Sequence, residues 1–81
     1  MSGFVRYGDL QKNDVVWFHG AQVLIKDVRV VGICDNEFCK GERIINFDIE
    51  PYNDEALQIL GKFYGYGTYG GVESLALWKD W

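Results

Sequence analysis

Eighty-one residues, 48% of them hydrophobic and 25% charged, are enough for one hydrophobic core, which excludes a disordered tail and a multidomain chain. The formal net charge of −4 argues against duplex nucleic acid as a partner, because dedicated binders of it are usually basic. No apolar run approaches the ~18 residues of a membrane helix, and residues 1–6 carry neither a basic nor an apolar leader segment, so neither a membrane partner nor a secretory signal is expected.

In chain order, residues 4–8 read as a short lead strand, followed by a polar turn over 9–14 in which Asn13-Asp14 tolerates left-handed backbone. Residues 15–19 are apolar, β-branched and aromatic between turn residues, the composition of a strand, and Gly20-Ala21 allows a reversal. In residues 22–31 the alternation switches face around Lys26-Asp27, which predicts either one bent strand with a bulge or two strands on a tight turn. Residues 32–42 form an acidic loop holding both cysteines.

Residues 43–50 alternate cleanly, with Ile45, Phe47 and Ile49 on one face and Asn46, Asp48 and Glu50 on the other. Pro51 stops the strand, and Asn53 or Asp54 is a natural helix N-cap. Ala56, Leu57 and Leu60 give the short helix its apolar face, and Gly61 suits the position after its last turn. The Tyr/Gly-rich stretch 64–71 has too much backbone freedom for a regular element, and residues 72–78 read as the last strand. The expected fold over residues 1–81 is one mainly β domain. It is a small SH3-like or similar β-barrel of about five strands, with one short α-helix before the last strand.

Thirteen aromatics and ten glycines are many for so small a body. Some of the aromatics are expected at an oligomer interface or a ligand pocket, where Tyr and Trp are favoured. Two cysteines without a leader point to reduced thiols in the cytoplasm. His19, Cys34 and Cys39 are too few for a visible zinc site, so no metal and no cofactor is expected.

Residues 65–70 formally match G-x-G-x-x-G, but they follow a helix and precede a strand, the reverse of a dinucleotide-binding unit. What survives is a loop whose amides and Thr68 could cradle a phosphate while Tyr64, Tyr66 and Tyr69 stack on a base. A structural loop whose tyrosines cap the core is the competing reading. Catalysis has few candidates. His19 is the single histidine, Asp48 and Glu50 share a solvent face, and no nucleophile, base and orienting group can be read together, so no enzyme is expected.

The segments at 8–10 (Gly-Asp-Leu), 14–21 (Asp-Val-Val-Trp-Phe-His-Gly-Ala), 49–56 (Ile-Glu-Pro-Tyr-Asn-Asp-Glu-Ala), 60–64 (Leu-Gly-Lys-Phe-Tyr) and 67–72 (Gly-Thr-Tyr-Gly-Gly-Val) together carry a resemblance. The chain resembles short proteins encoded by bacteriophages and mobile elements of gut bacteria; residues 34–42 fall outside the likeness. The resemblance carries no catalytic residues. It implies a cytoplasmic setting in a bacterial host and a counter-defence role, by sequestering a nucleotide immune signal or by covering a host protein.

Three functions follow. The first is a homo-oligomeric binder of a small nucleotide through Tyr64, Tyr66, Gly67, Thr68, Tyr69 and Gly70, with Trp17, His19 and Lys62 nearby. The second is an acidic inhibitor of a host defence or nucleic-acid-binding protein, working through Asp48 and Glu50. The third is a structural homomer assembled through Trp78 and Trp81. The first leads, because glycine backbone beside three tyrosines is costly to order for structure alone.

Overall fold

The computed structural model describes residues 2–63 and 67–80, the side chains of Lys62 and Phe63 excepted. Six strands are described: β1 (Ser2–Arg6), β2 (Val15–Phe18), β3 (Ala21–Ile33), β4 (Arg43–Pro51), β5 (Gly67–Val72) and β6 (Ala76–Asp80). One helix, α1 (Asp54–Phe63), lies between β4 and β5, and a single 3-10 turn follows β1 at Tyr7–Asp9. The strands form one sheet in the order β1-β6-β2-β3-β4-β5, every pair antiparallel. The mainly β expectation holds, with six strands in place of about five.

The extra strand comes from the Tyr/Gly-rich stretch. Residues 67–71, expected to be irregular, and Val72, expected to open the last strand, pair residue for residue with β4 from Ile44↔Val72 to Ile49↔Gly67. The stretch expected to be one last strand is split by a turn at 73–75, closed by the Leu75 N–H on the Val72 carbonyl at 3.1 Å. Residues 64–66 lie outside the described residues.

Consecutive strands β5 and β6 stand four places apart in the sheet. Flat, four strand spacings would measure ~19 Å, whereas the backbone from residue 72 to residue 76 reaches only ~14 Å. The sheet must therefore curl. Its two ends meet at the 73–75 turn, where Tyr7 and Gly8 donate N–H bonds to the carbonyls of Leu75 and Glu73, and Glu73 donates to that of Arg43. Arg43 Nε closes the seam on the Glu73 carboxylate at 2.6 Å. The sheet is not closed, and β1 and β5 remain its edges.

The bent-strand reading of residues 22–31 is the one realised. β3 is a single strand of 13 residues whose register with β4 shifts between Lys26 and Arg29. Asp27 takes a positive φ of 47° there, and its carbonyl accepts Arg29 Nη1 at 2.7 Å. The β2–β3 reversal falls one residue earlier than expected: His19 and Gly20, at φ 51° and 82°, make the two-residue loop between the paired Phe18 and Ala21. Two successive positive φ values give the turn a twist that matches the flanking strands.

The inner face of the curl is the core: Val16, Phe18, Ala21, Val23, Ile25, Ile45, Phe47 and Ile49, joined by Leu10 and by Ala56 and Leu60 of α1. Asn53 caps α1, its Oδ1 accepting the Ala56 N–H at 2.8 Å. The helix turns Ala56 and Leu60 inward, while Leu57, expected on the apolar face, is exposed. At about 100° per residue the inward stripe runs through 56, 59 and 60, which leaves 57 to one side. Gly61 lies inside the helix, which continues to Phe63.

The loop after β3 also differs from expectation. Cys34 and Cys39 form a disulfide, with their Cα atoms 5.8 Å apart. Tight backbone bonds bring them together, among them Gly41 N–H to the Cys34 carbonyl and Cys39 N–H to that of Asn36. The pairing removes the free thiols that argued for a reducing compartment. No helix among the described residues is long and apolar enough to cross a membrane.

Candidate functional site

The outer face of β1, β6 and β2 carries three aromatics in lateral register. Alternation puts Phe4, Trp78 and Trp17 outward, and the ladder sets Phe4 opposite Trp78 and Trp78 opposite Trp17. Phe4 is 70% exposed, Trp17 37% and Trp78 38%. The Phe4 ring meets the Trp78 ring edge to face at 5.0 Å. Trp17 Nε1 donates to Asp80 Oδ2 and Trp78 Nε1 to Asp80 Oδ1, each at 3.0 Å. One carboxylate thus ties two indoles from different strands into a fixed surface. On the far side of Trp17 a small crevice is lined by Gln22, Asn53 and Glu55, and beside Phe4 an open groove of about 430 Å³ is lined by Val5, Arg6, Asp9 and Lys79.

Residues 67–72 of the Tyr/Gly stretch form strand β5. Tyr69 points inward and packs on the Phe18 ring at 4.7 Å, opposite buried Phe47. Thr68 faces outward and donates its hydroxyl to Asp48. A Cβ on Gly70 would stand 2.3 Å from the Ile45 carbonyl, and one on Gly71 2.6 Å from Leu75 Cδ1. These two glycines let β5 lie against β4 and the seam, a structural reason for the backbone freedom that pointed to a phosphate cradle.

The remaining predicted residues scatter. Asp48 accepts Arg29 Nη2 at 3.4 Å as well as the Thr68 hydroxyl, and these contacts, Thr68 first, hold its carboxyl below the usual range. Glu50 pairs with Lys26 Nζ at 3.9 Å, so the acidic pair is matched by cations of β3. His19 sits on the hairpin tip against the Phe18 ring at 4.4 Å. Tyr64, Tyr66, Trp81 and the Lys62 side chain lie outside the described residues. The structure therefore joins Trp17 to Trp78, Thr68 to Asp48, and His19 and Tyr69 to the ring of Phe18, which the curl brings against β5 although β3 and β4 lie between β2 and β5 in the sheet order.

Phe4 and Asp80 were not among the residues singled out by sequence. The two-residue spacing of Trp78 and Asp80, which puts both on one strand face, was the available signal. Among the described residues no group of three or more His, Cys, Asp or Glu is placed to hold a metal ion. No family model, no curated protein and no solved structure matches the chain.

Proposed function

We propose that the protein is a non-enzymatic binding protein of the phage counter-defence kind, which works by covering the surface of a protein partner with its outer aromatic face. The observation that carries this is the Phe4–Trp78–Trp17 strip, exposed across three adjacent strands yet fixed by the Asp80 bonds. Tryptophan is enriched among residues that dominate binding energy, and an ordered surface loses little entropy on docking. The non-enzymatic reading is supported by the His19 ring meeting Phe18 edge to face at a turn and by Asp48 and Glu50 being matched to Arg29 and Lys26. In this reading the curled sheet is an SH3-like barrel left open between β1 and β5, with α1 over its interior.

Nucleotide sequestration, the leading expectation from sequence, now rests on Tyr64, Tyr66 and Lys62. Its described half has structural duties, and phosphate beside Trp17 would face the carboxylates of Asp80 and Glu55. Chemical cross-linking in a bacterial host lysate, followed by mass spectrometry, separates the readings. The expected result is one partner cross-linked to wild type and to Phe38→Ala, a change at an exposed ring of the 34–42 loop away from the aromatic strip, but lost in Trp78→Ala. A nucleotide adduct in native spectra that survives Trp78→Ala and disappears in Tyr66→Ala would overturn the proposal. Self-association alone, lost in Trp78→Ala with no other partner, would overturn it in favour of a homomer.

A further inference from the structure

We infer that the partner places an arginine side chain on the Trp17–Trp78 surface, with Asp80 as its counter-charge; this rests on the reading of the aromatic strip as the working face. An ionised carboxylate offers about four lone-pair sites. The two indole N–H groups occupy one on each oxygen of Asp80, which fixes the group and leaves further acceptor capacity on the same exposed side chain. Asp9, Asp14, Asp48, Glu50 and Glu73 are each matched by a cation. Asp80 has no cation within ion-pair distance among the described residues.

Among the described residues, the neighbouring cations Lys79 and Arg6 are committed elsewhere. Lys79 alternates to the opposite face and holds Asp14 at 2.8 Å. Arg6, on the Phe4 face of β1, pairs with Asp9 and stands four residues from Ser2, the register partner of Asp80, roughly 13 Å along the strand. Glu55 borders Trp17 from the helix side, so the Trp17 ring lies between two carboxylates that have no ion pair among the described residues. Tryptophan faces are the best aromatic platforms for a cation.

Arginine suits this site better than lysine does. Its planar fork meets a carboxylate with two parallel bonds and stacks on an indole, whereas an ammonium acts as a point charge. The net charge of −4 would draw a basic segment in from a distance and speed encounter at low salt. The same field repels phosphate, which is why the inference names a basic protein segment and not a nucleotide.

Intrinsic fluorescence reads the site directly, because two of the three tryptophans form it and Trp81 follows Asp80. The probes are an acetylated, amidated hexapeptide of alternating arginine and glycine, its lysine and citrulline counterparts, and adenosine monophosphate. The expected result is a saturable change with the arginine peptide, weaker with lysine and absent with citrulline. Asp80→Asn should weaken binding roughly tenfold or more, the usual scale for a hydrogen bond to a charged group, and Glu37→Gln in the 34–42 loop should not. No saturable change at millimolar peptide, equal binding of citrulline and arginine peptides, or equal weakening by Asp80→Asn and Glu37→Gln would each overturn the inference. So would tighter binding of the nucleotide than of the arginine peptide. If Asp80→Asn does not fold, the citrulline comparison on wild type decides. A cross-linked partner lost in Trp78→Ala but retained by Asp80→Asn would remove the arginine inference and leave the aromatic face standing. A partner retained by both variants removes both.

Discussion

Gly70 and Gly61 provide a paired test with opposite signs. A Cβ at Gly70 would lie 2.3 Å from the Ile45 carbonyl oxygen, whereas ordinary contact begins near 3.4 Å. The backbone of β5 must therefore retreat by about 1 Å from a partner strand that pairs at ~4.8 Å. Overpacking of this kind costs ~1–3 kcal/mol. A chain of this length has only ~4–12 kcal/mol in total, so Gly70→Ala should lower the melting temperature by roughly 4–8 °C for each kcal/mol lost. At Gly61, inside α1, a Cβ meets nothing within 4 Å. Gly61→Ala should therefore stabilise by ~0.5–1 kcal/mol, by lowering the backbone entropy lost when the helix forms. Urea unfolding followed by circular dichroism measures both, with unchanged slopes confirming that the denatured states are comparable. A Gly70→Ala protein as stable as wild type would refute the close-approach argument and return the glycine to a ligand role.

Three further outcomes follow from the core, the disulfide and the seam. Phe47→Ala removes a fully buried ring that also meets Tyr7 at 5.1 Å; it should cost ~3–5 kcal/mol and leave much of the protein unfolded on a thermal melt. Cys34→Ser with Cys39→Ser opens a loop whose ends are five residues apart, and the chain-entropy relation gives a loss of about 2 kcal/mol; equal urea midpoints for the two proteins would contradict the bond. Hydrogen bonds to Arg43, followed by its charge, hold the Glu73 carboxyl below its usual range. A depressed folded value means the unfolded state takes up protons first. Stability from this pair is therefore present above the ordinary carboxylate range of ~4 and declines as the pH falls through the folded value. Arg43→Gln should flatten that acid limb in urea titrations between pH 2 and 5, and an unchanged limb would remove the seam pair from the account.

Local features of the chain determined much of this protein. The period-two alternation of 43–50 names the residues β4 buries, Asn53 caps α1 as its side chain requires, and the face switch at Lys26-Asp27 marks the β3 bulge. These were legible because each depends on neighbours within a few positions, through backbone geometry and side-chain period. The order of the strands could not be read that way. That β6 lies between β1 and β2 depends on pairing between residues some 60 or more positions apart, such as Trp17 and Trp78, and that β5 joins the far edge depends on pairing with β4 such as Ile49 with Gly67 and Ile44 with Val72. The same long-range pairing decided the candidate site. Sequence assigned Trp17 to a ligand pocket and Trp78 to an interface, and read Gly70 as freedom kept for a phosphate. Register put the two indoles on one carboxylate and pressed Gly70 against a carbonyl. A glycine required for close approach and a glycine required for a ligand are the same residue in a sequence, and only the partner strand tells them apart.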